Sequence, residues 1–124
     1  GDVIDRLPQQ HLSRPERLPD YRERTREQLR FPGMGESFAS TVANYPAQAG
    51  DQWAAVGEHP RSVLLVWGTN DSVTPYGNHS QVLRLYPAAE LLAVEGAKHA
   101  PHLDHAEVVY PAILRHLTTA ENRS

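Results

Sequence analysis

No cysteine occurs anywhere in the chain. Disulfides, thiolate metal sites and a thiol nucleophile are therefore excluded within it, and the composition fits a reducing compartment, which points to the cytoplasm. Lysine is nearly as scarce: Lys98 is the single one, so arginine carries the positive charge. Twelve Lys and Arg stand against fifteen Asp and Glu, for a net charge of -3. No basic face dominates, which argues against a nucleic-acid partner. Long apolar runs are missing too. Residues 63–67 form one of the longest, far below the roughly 20 residues that span a bilayer, so no membrane partner is expected. No signal-peptide pattern opens the sequence. Its start at Gly1, followed by a polar, proline-rich stretch, reads as a cut or processed end.

What is present suits one globular domain: 124 residues, 40% hydrophobic and 22% charged. Pro8, Pro15 and Pro19 punctuate the first nineteen residues, which read as loop and short helical pieces. Residues 20–31 predict a charged, solvent-facing helix with Asp20 as cap, a thin apolar side at Tyr21, Leu29 and Phe31, and a stop at Pro32-Gly33. A second helix is expected over 35–45, with Phe38, Val42 and Tyr45 at helical spacing. The texture then changes. Residues 61–67 (RSVLLVW) are rich in β-branched residues and run into the turn Gly68-Thr69-Asn70-Asp71, as a strand buried on both faces does. A helix is expected over 75–86 and a second buried strand over 90–94. A closing amphipathic helix over 104–117 takes Asp104 as cap and Val108, Val109, Ala112, Ile113 and Leu117 as its buried stripe. The fold class is thus α/β, with a short parallel sheet flanked by helices.

In open parallel sheets, sites form at the carboxyl ends of the strands. Asp71 follows the first strand and His99 follows the second, so the two meet if the strands are neighbours. A carboxylate beside one imidazole nitrogen fixes the tautomer and stabilises the imidazolium. The other nitrogen is then free to take a proton from a hydroxyl nucleophile and return it to a leaving group. Three histidines, His99, His102 and His105, raise the option of a metal site. Pro101 interrupts any regular helix through them and no carboxylate follows a zincin spacing, so neither metal nor cofactor is expected.

Residues 62–75 (SVLLVWGTNDSVTP) and 95–105 (EGAKHAPHLDH) resemble two motifs of the α/β-hydrolases. The first is similar to their acid-bearing strand and turn, W/Y-G-x-x-D-x-x-x-P. The second is similar to their histidine loop, although a small residue is more usual where Lys98 stands. The resemblance covers roughly residues 20–118. It implies that Asp71 and His99 are the acid and the histidine of a catalytic triad, since in this family the order is nucleophile, acid, histidine. It also implies that residues 1–46 are a cap remnant and 47–124 the C-terminal core segment. The implied activity is serine-type hydrolysis of a small ester or a carbon–carbon-bond substrate.

The family's nucleophile elbow, G-x-S-x-G between a strand and a helix, has one imitation, Gly35-Glu36-Ser37-Phe38-Ala39. No buried strand precedes it, so Ser37 reads as a helix-capping residue and the chain alone is expected to be inactive. Two strands also make a marginal sheet, and the outer edge of the first invites a partner. The expected partner is the missing N-terminal hydrolase segment or another copy of the chain, as a homo-oligomer. A non-catalytic module that associates through that edge is the alternative function.

Overall fold

The structure is a computed structural model, and it describes residues 3–45, 50–59 and 61–121. Among these residues seven α-helices and two strands follow one another: α1 Val3–His11, α2 Tyr21–Gln28, α3 Met34–Asn44, α4 Gly50–Gly57, β1 Leu64–Gly68, α5 His79–Leu85, β2 Glu90–Val94, α6 Pro101–Asp104 and α7 Ala106–Glu121. The strands pair in parallel, with Leu64 opposite Glu90 and Gly68 opposite Val94. The apolar core lies where this pair meets α7: Val94, Ala97 and Val109 are buried, with Val66, Leu92 and Ile113 packed against them.

The short helical pieces expected in the first nineteen residues include a nine-residue helix at 3–11, with Pro8 inside it. Tertiary contacts support that helix. Asp5 bridges Arg22 at 3.5 Å and Arg26 at 2.9 Å on α2, and Leu12 is buried. Proline punctuation is a local signal and does not register such contacts. Several expectations need correction. α4 was not anticipated at all. The helix expected over 75–86 is a 3-10 turn at Tyr76–Asn78 followed by α5. β1 starts three residues later than residue 61 and is mostly half-buried rather than buried on both faces. The reason is that β2 covers only one of its edges among the described residues. In α7, Val109 and Ala112 are buried, but Val108 and Leu117 are exposed, so the buried stripe is narrower than expected. Phe38 and Val42 of α3, and Tyr45 just after it, are all exposed.

Asp104 does not cap the closing helix. It ends α6 and is fully buried. Its Oδ2 accepts hydrogen bonds from the Ser13 backbone at 2.7 Å, the Arg14 backbone at 2.8 Å and the Ser13 hydroxyl at 3.0 Å. Oδ1 is buried with no hydrogen-bond partner. The Ser13 hydroxyl also lies 2.7 Å from His105 Nε2. Nearby, Glu107 pairs with Arg14 and Arg17, each at 2.7 Å. Its own backbone N–H, with those two arginines, holds its carboxyl down at about 2. One buried carboxylate thus ties the loop after α1 to the start of α7.

Gly68 is tightly enclosed by backbone. A Cβ there would lie 2.2 Å from the Lys98 carbonyl oxygen and 2.4 Å from that of Ala97. Both obstacles are backbone, so a methyl group cannot be absorbed by a rotamer change. Gly68→Ala is expected to lower unfolding free energy by about 1–3 kcal/mol. Urea denaturation checks this, and an unchanged midpoint would mean the two loops are not in close contact.

Candidate active site

The turn after β1 is built against the loop after β2. The Thr69 N–H donates to the Val94 carbonyl at 3.1 Å and the Asn70 N–H to that of Ala97 at 2.9 Å. In return the Gly96 N–H donates to the Thr69 hydroxyl at 2.9 Å. Gly96 has φ 71°, a left-handed conformation that glycine adopts without strain. These crossed bonds bring Asp71 and His99 to the same end of the sheet. Asp71 Oδ2 lies 2.9 Å from His99 Nδ1.

Asp71 is held from several sides. Its Oδ1 accepts from the backbone N–H of Val73 at 2.8 Å and of Thr74 at 2.9 Å. The Thr74 hydroxyl donates to Oδ2 at 2.8 Å. The sequence places an Asp two and three residues before these donors, the local geometry of an Asx turn. The Trp67 indole N–H fixes the far side of the turn by donating to the Thr74 carbonyl at 2.9 Å. Burial pushes the Asp71 carboxyl up, but the bonds from His99, Thr74 and Val73 outweigh it and leave the value below its ordinary 3.8. Asp71 is therefore ionised at neutral pH and can only accept. The proton of the shared bond sits on His99 Nδ1, and a neutral His99 presents an unprotonated Nε2.

The Asp71 side chain is 4% exposed and that of His99 35%. An open concavity of about 290 Å³ runs along β1 and is bordered by Trp67, Asp71, Thr74, His99 and Pro101. A second histidine stands beside the first. The ring of His11, at the end of α1, is 5.3 Å from that of His99. Its Nδ1 shares a 2.7 Å hydrogen bond with the Tyr21 hydroxyl, and its carbonyl accepts from the Ala100 N–H at 2.9 Å. Burial first, then the charge of His99, lowers the His11 pKa from its ordinary value, against a smaller opposing pull from Asp71.

The structure therefore brings Asp71 and His99 together, as the two motifs imply. It does not bring His102 or His105 to them. His102 is exposed, and His105 is buried against Ser13. Among the described residues no three His, Asp or Glu side chains group as a metal site. Ser37 is exposed on α3, and the residue before that helix is Gly33, so Ser37 is not its cap. Sequence reasoning missed Thr74, His11 and Tyr21. Thr74 was legible as the third residue after an aspartate in a turn. His11 and Tyr21 carried no local signal, because their role depends on where α1 and α2 dock. Lys98 Nζ adds to that docking by donating to the Gln9 carbonyl.

A parallel strand pair with a carboxylate and a histidine in its two terminal loops is the arrangement of an α/β-hydrolase. The chain belongs to that class: residues 34–123 match the model of the TAP-like protein family of α/β-hydrolases. Both Asp71 and His99 fall within the match. No curated protein and no solved structure matches the chain. Among the described residues no helix is long and apolar enough to cross a membrane.

The lowered Asp71 pKa has a signed consequence for stability. An unfolded Asp71 binds its proton more readily than the folded one, so stability rises with pH across that range. The contribution is complete above the ordinary aspartate range and is lost as pH falls through the lower folded value. Thermal melts below about pH 4 are expected to show a steeper loss in the parent chain than in Asp71→Asn. Equal slopes would mean that the carboxylate is not held as described.

Proposed function

We propose that Asp71 and His99 are the acid and base of a serine-hydrolase-type site, whose nucleophile lies on another segment of the hydrolase. The observation that carries this reading is the 2.9 Å bond from His99 Nδ1 to an ionised Asp71, whose three other hydrogen-bond donors all come from its own turn. That bond leaves Nε2 available to remove the proton of an attacking hydroxyl and deliver it to the leaving group. Losing the carboxylate of such a triad costs on the order of 10⁴ in turnover. The substrate class is a small ester or a carbon–carbon-bond hydrolase substrate, the acyl group entering through the concavity beside His99. The family's order of residues places the nucleophile ahead of Asp71. Ser37 does not fill that role, being exposed on a helix that no strand precedes among the described residues.

Two measurements test this. Nitrogen-15 NMR at neutral pH is expected to show His99 protonated at Nδ1, with the preference lost in Asp71→Ala. Steady-state turnover of p-nitrophenyl acetate by the chain is expected to equal that of His99→Ala. An Nε2-protonated His99 would overturn the acid–base assignment. Turnover that depends on His99 would overturn the assignment of the nucleophile to another segment.

The open edge of β1 favours a second reading, in which this region is a docking surface. Residues 64–68 pair with β2 on one side only among the described residues, and the concavity runs along that strand. An unpaired parallel edge seeks another strand. We assign the occupant to a strand of the remaining hydrolase sheet, because it would extend the sheet and deliver a nucleophile to the same concavity. Light scattering after size exclusion distinguishes the alternatives. A stable, well-folded monomer at low micromolar concentration would overturn this reading, and a symmetric dimer would make a second copy the occupant.

A further inference from the structure

A second group of reactive residue types lies at the opposite end of the sheet, at the amino ends of the strands. Ser62 precedes β1, Glu90 opens β2, and His116 projects from α7. The Glu90 N–H donates to the Val63 carbonyl at 2.9 Å, which sets the start of β2 beside the Ser62 segment. Ser62 Oγ is 3.1 Å from His116 Nε2. His116 Nδ1 faces Glu90 Oε2 at 3.5 Å. Arg115 holds the other carboxylate oxygen, Oε1, at 3.0 Å. The three side chains thus stand in the sequence hydroxyl, imidazole, carboxylate, with each imidazole nitrogen facing a different partner. The His116 side chain is only 14% exposed, so its ring is fixed by packing, whereas Ser62 is open to solvent. A concavity of about 80 Å³ adjoins the group and is also lined by Ala88 and Thr119. The bonds from Arg115 and His116 keep the Glu90 carboxyl below its usual range, so it is ionised at neutral pH and orients Nδ1–H toward itself.

We propose that Ser62, His116 and Glu90 form a second serine–histidine–carboxylate relay, through which Ser62 is modified by small activated acyl or phosphonyl donors. In the step, the Ser62 Oγ–H proton passes to His116 Nε2 as Oγ attacks. With an aryl ester, the new bond is Oγ to the acyl carbon, and the bond that breaks is acyl carbon to aryl oxygen, which leaves as phenolate. With a phosphonofluoridate, Oγ bonds to phosphorus and fluoride leaves. The small concavity admits a short acyl group and excludes a bulky one. Glu90 is half-exposed, so its field on His116 is screened by water. The reaction is accordingly a single modification of Ser62 and not turnover. It requires nothing of Asp71 or His99 and stands independently of their assignment.

The test is labelling of the intact chain with a small alkyl fluorophosphonate, followed by peptide mass spectrometry. One adduct is expected, on Ser62, and none on that peptide in Ser62→Ala. Its rate is expected to fall at least about tenfold in His116→Gln and several-fold in Glu90→Gln, as loss of a general base and of its orienting group would do. Circular dichroism of both variants establishes that they are folded, and His116→Asn provides a second imidazole deletion. No adduct, an adduct confined to other serines, or a Ser62 rate indifferent to both His116 variants would overturn the proposal. Loss of the adduct in His99→Ala with His116 intact would assign the reactivity to the other site and overturn it as well.

Discussion

Gly68 and Val94 stand opposite each other at the carboxyl end of a parallel pair, and the absence of a side chain at Gly68 lets the following loop of β2 lie directly on β1. Hydrogen bonds from Thr69, Asn70 and Gly96 then stitch the two terminal loops together. The spacing of Asp71 and His99 follows from that contact. Neither residue reaches far; each sits in a loop whose backbone is already fixed. A displacement of about 1 Å at this junction would be enough to break a hydrogen bond of ordinary length. The proposed acid–base pair is thus a property of the junction as much as of the two side chains.

A second constraint comes from Asp104. Its carboxylate replaces water for two backbone N–H groups and a hydroxyl in the loop after α1. An unmade hydrogen bond on a buried group costs about 1–3 kcal/mol, so the lone Oδ1 offsets part of what Oδ2 contributes. What the arrangement secures is position. It anchors the segment that carries His11 next to His99, and the His11 carbonyl bond to Ala100 completes the attachment. The surface pairs of Glu107 with Arg14 and Arg17 add little energy by themselves, being exposed to solvent and salt. They do align the same two segments.

The exposed apolar side chains mark where the described residues stop covering themselves. Phe38 and Val42 on α3 with Tyr45 just after it, and Tyr110, Leu114 and Leu117 on α7, are all exposed. In each helix the spacing is that of a buried stripe, yet no element of the described structure lies over it. The half-buried state of β1 has the same origin. A strand of this composition belongs inside a sheet, and here one neighbour is present. The catalytic reading and the open edge therefore converge: a further strand along β1 would both complete the sheet and border the concavity at His99.

The sequence by itself determined the parallel strands, the turn that carries Asp71, the loop that carries His99 and the family to which these motifs belong. These features are legible because they depend on neighbours in the chain: β-branched runs, a glycine turn, an aspartate followed by donors two and three residues on. Tertiary structure alone decided how the helix over 3–11 docks, that Asp104 faces Ser13 and Arg14 instead of capping α7, and that His11 joins His99. It also decided that Ser62, Glu90 and His116 assemble at the other end of the sheet. Each of these rests on contacts between segments far apart in the chain, made or broken by how α1 and α7 pack on the strand pair. Local propensity has no term for such contacts, and a proline or a charge that looks disruptive in one segment is satisfied by another.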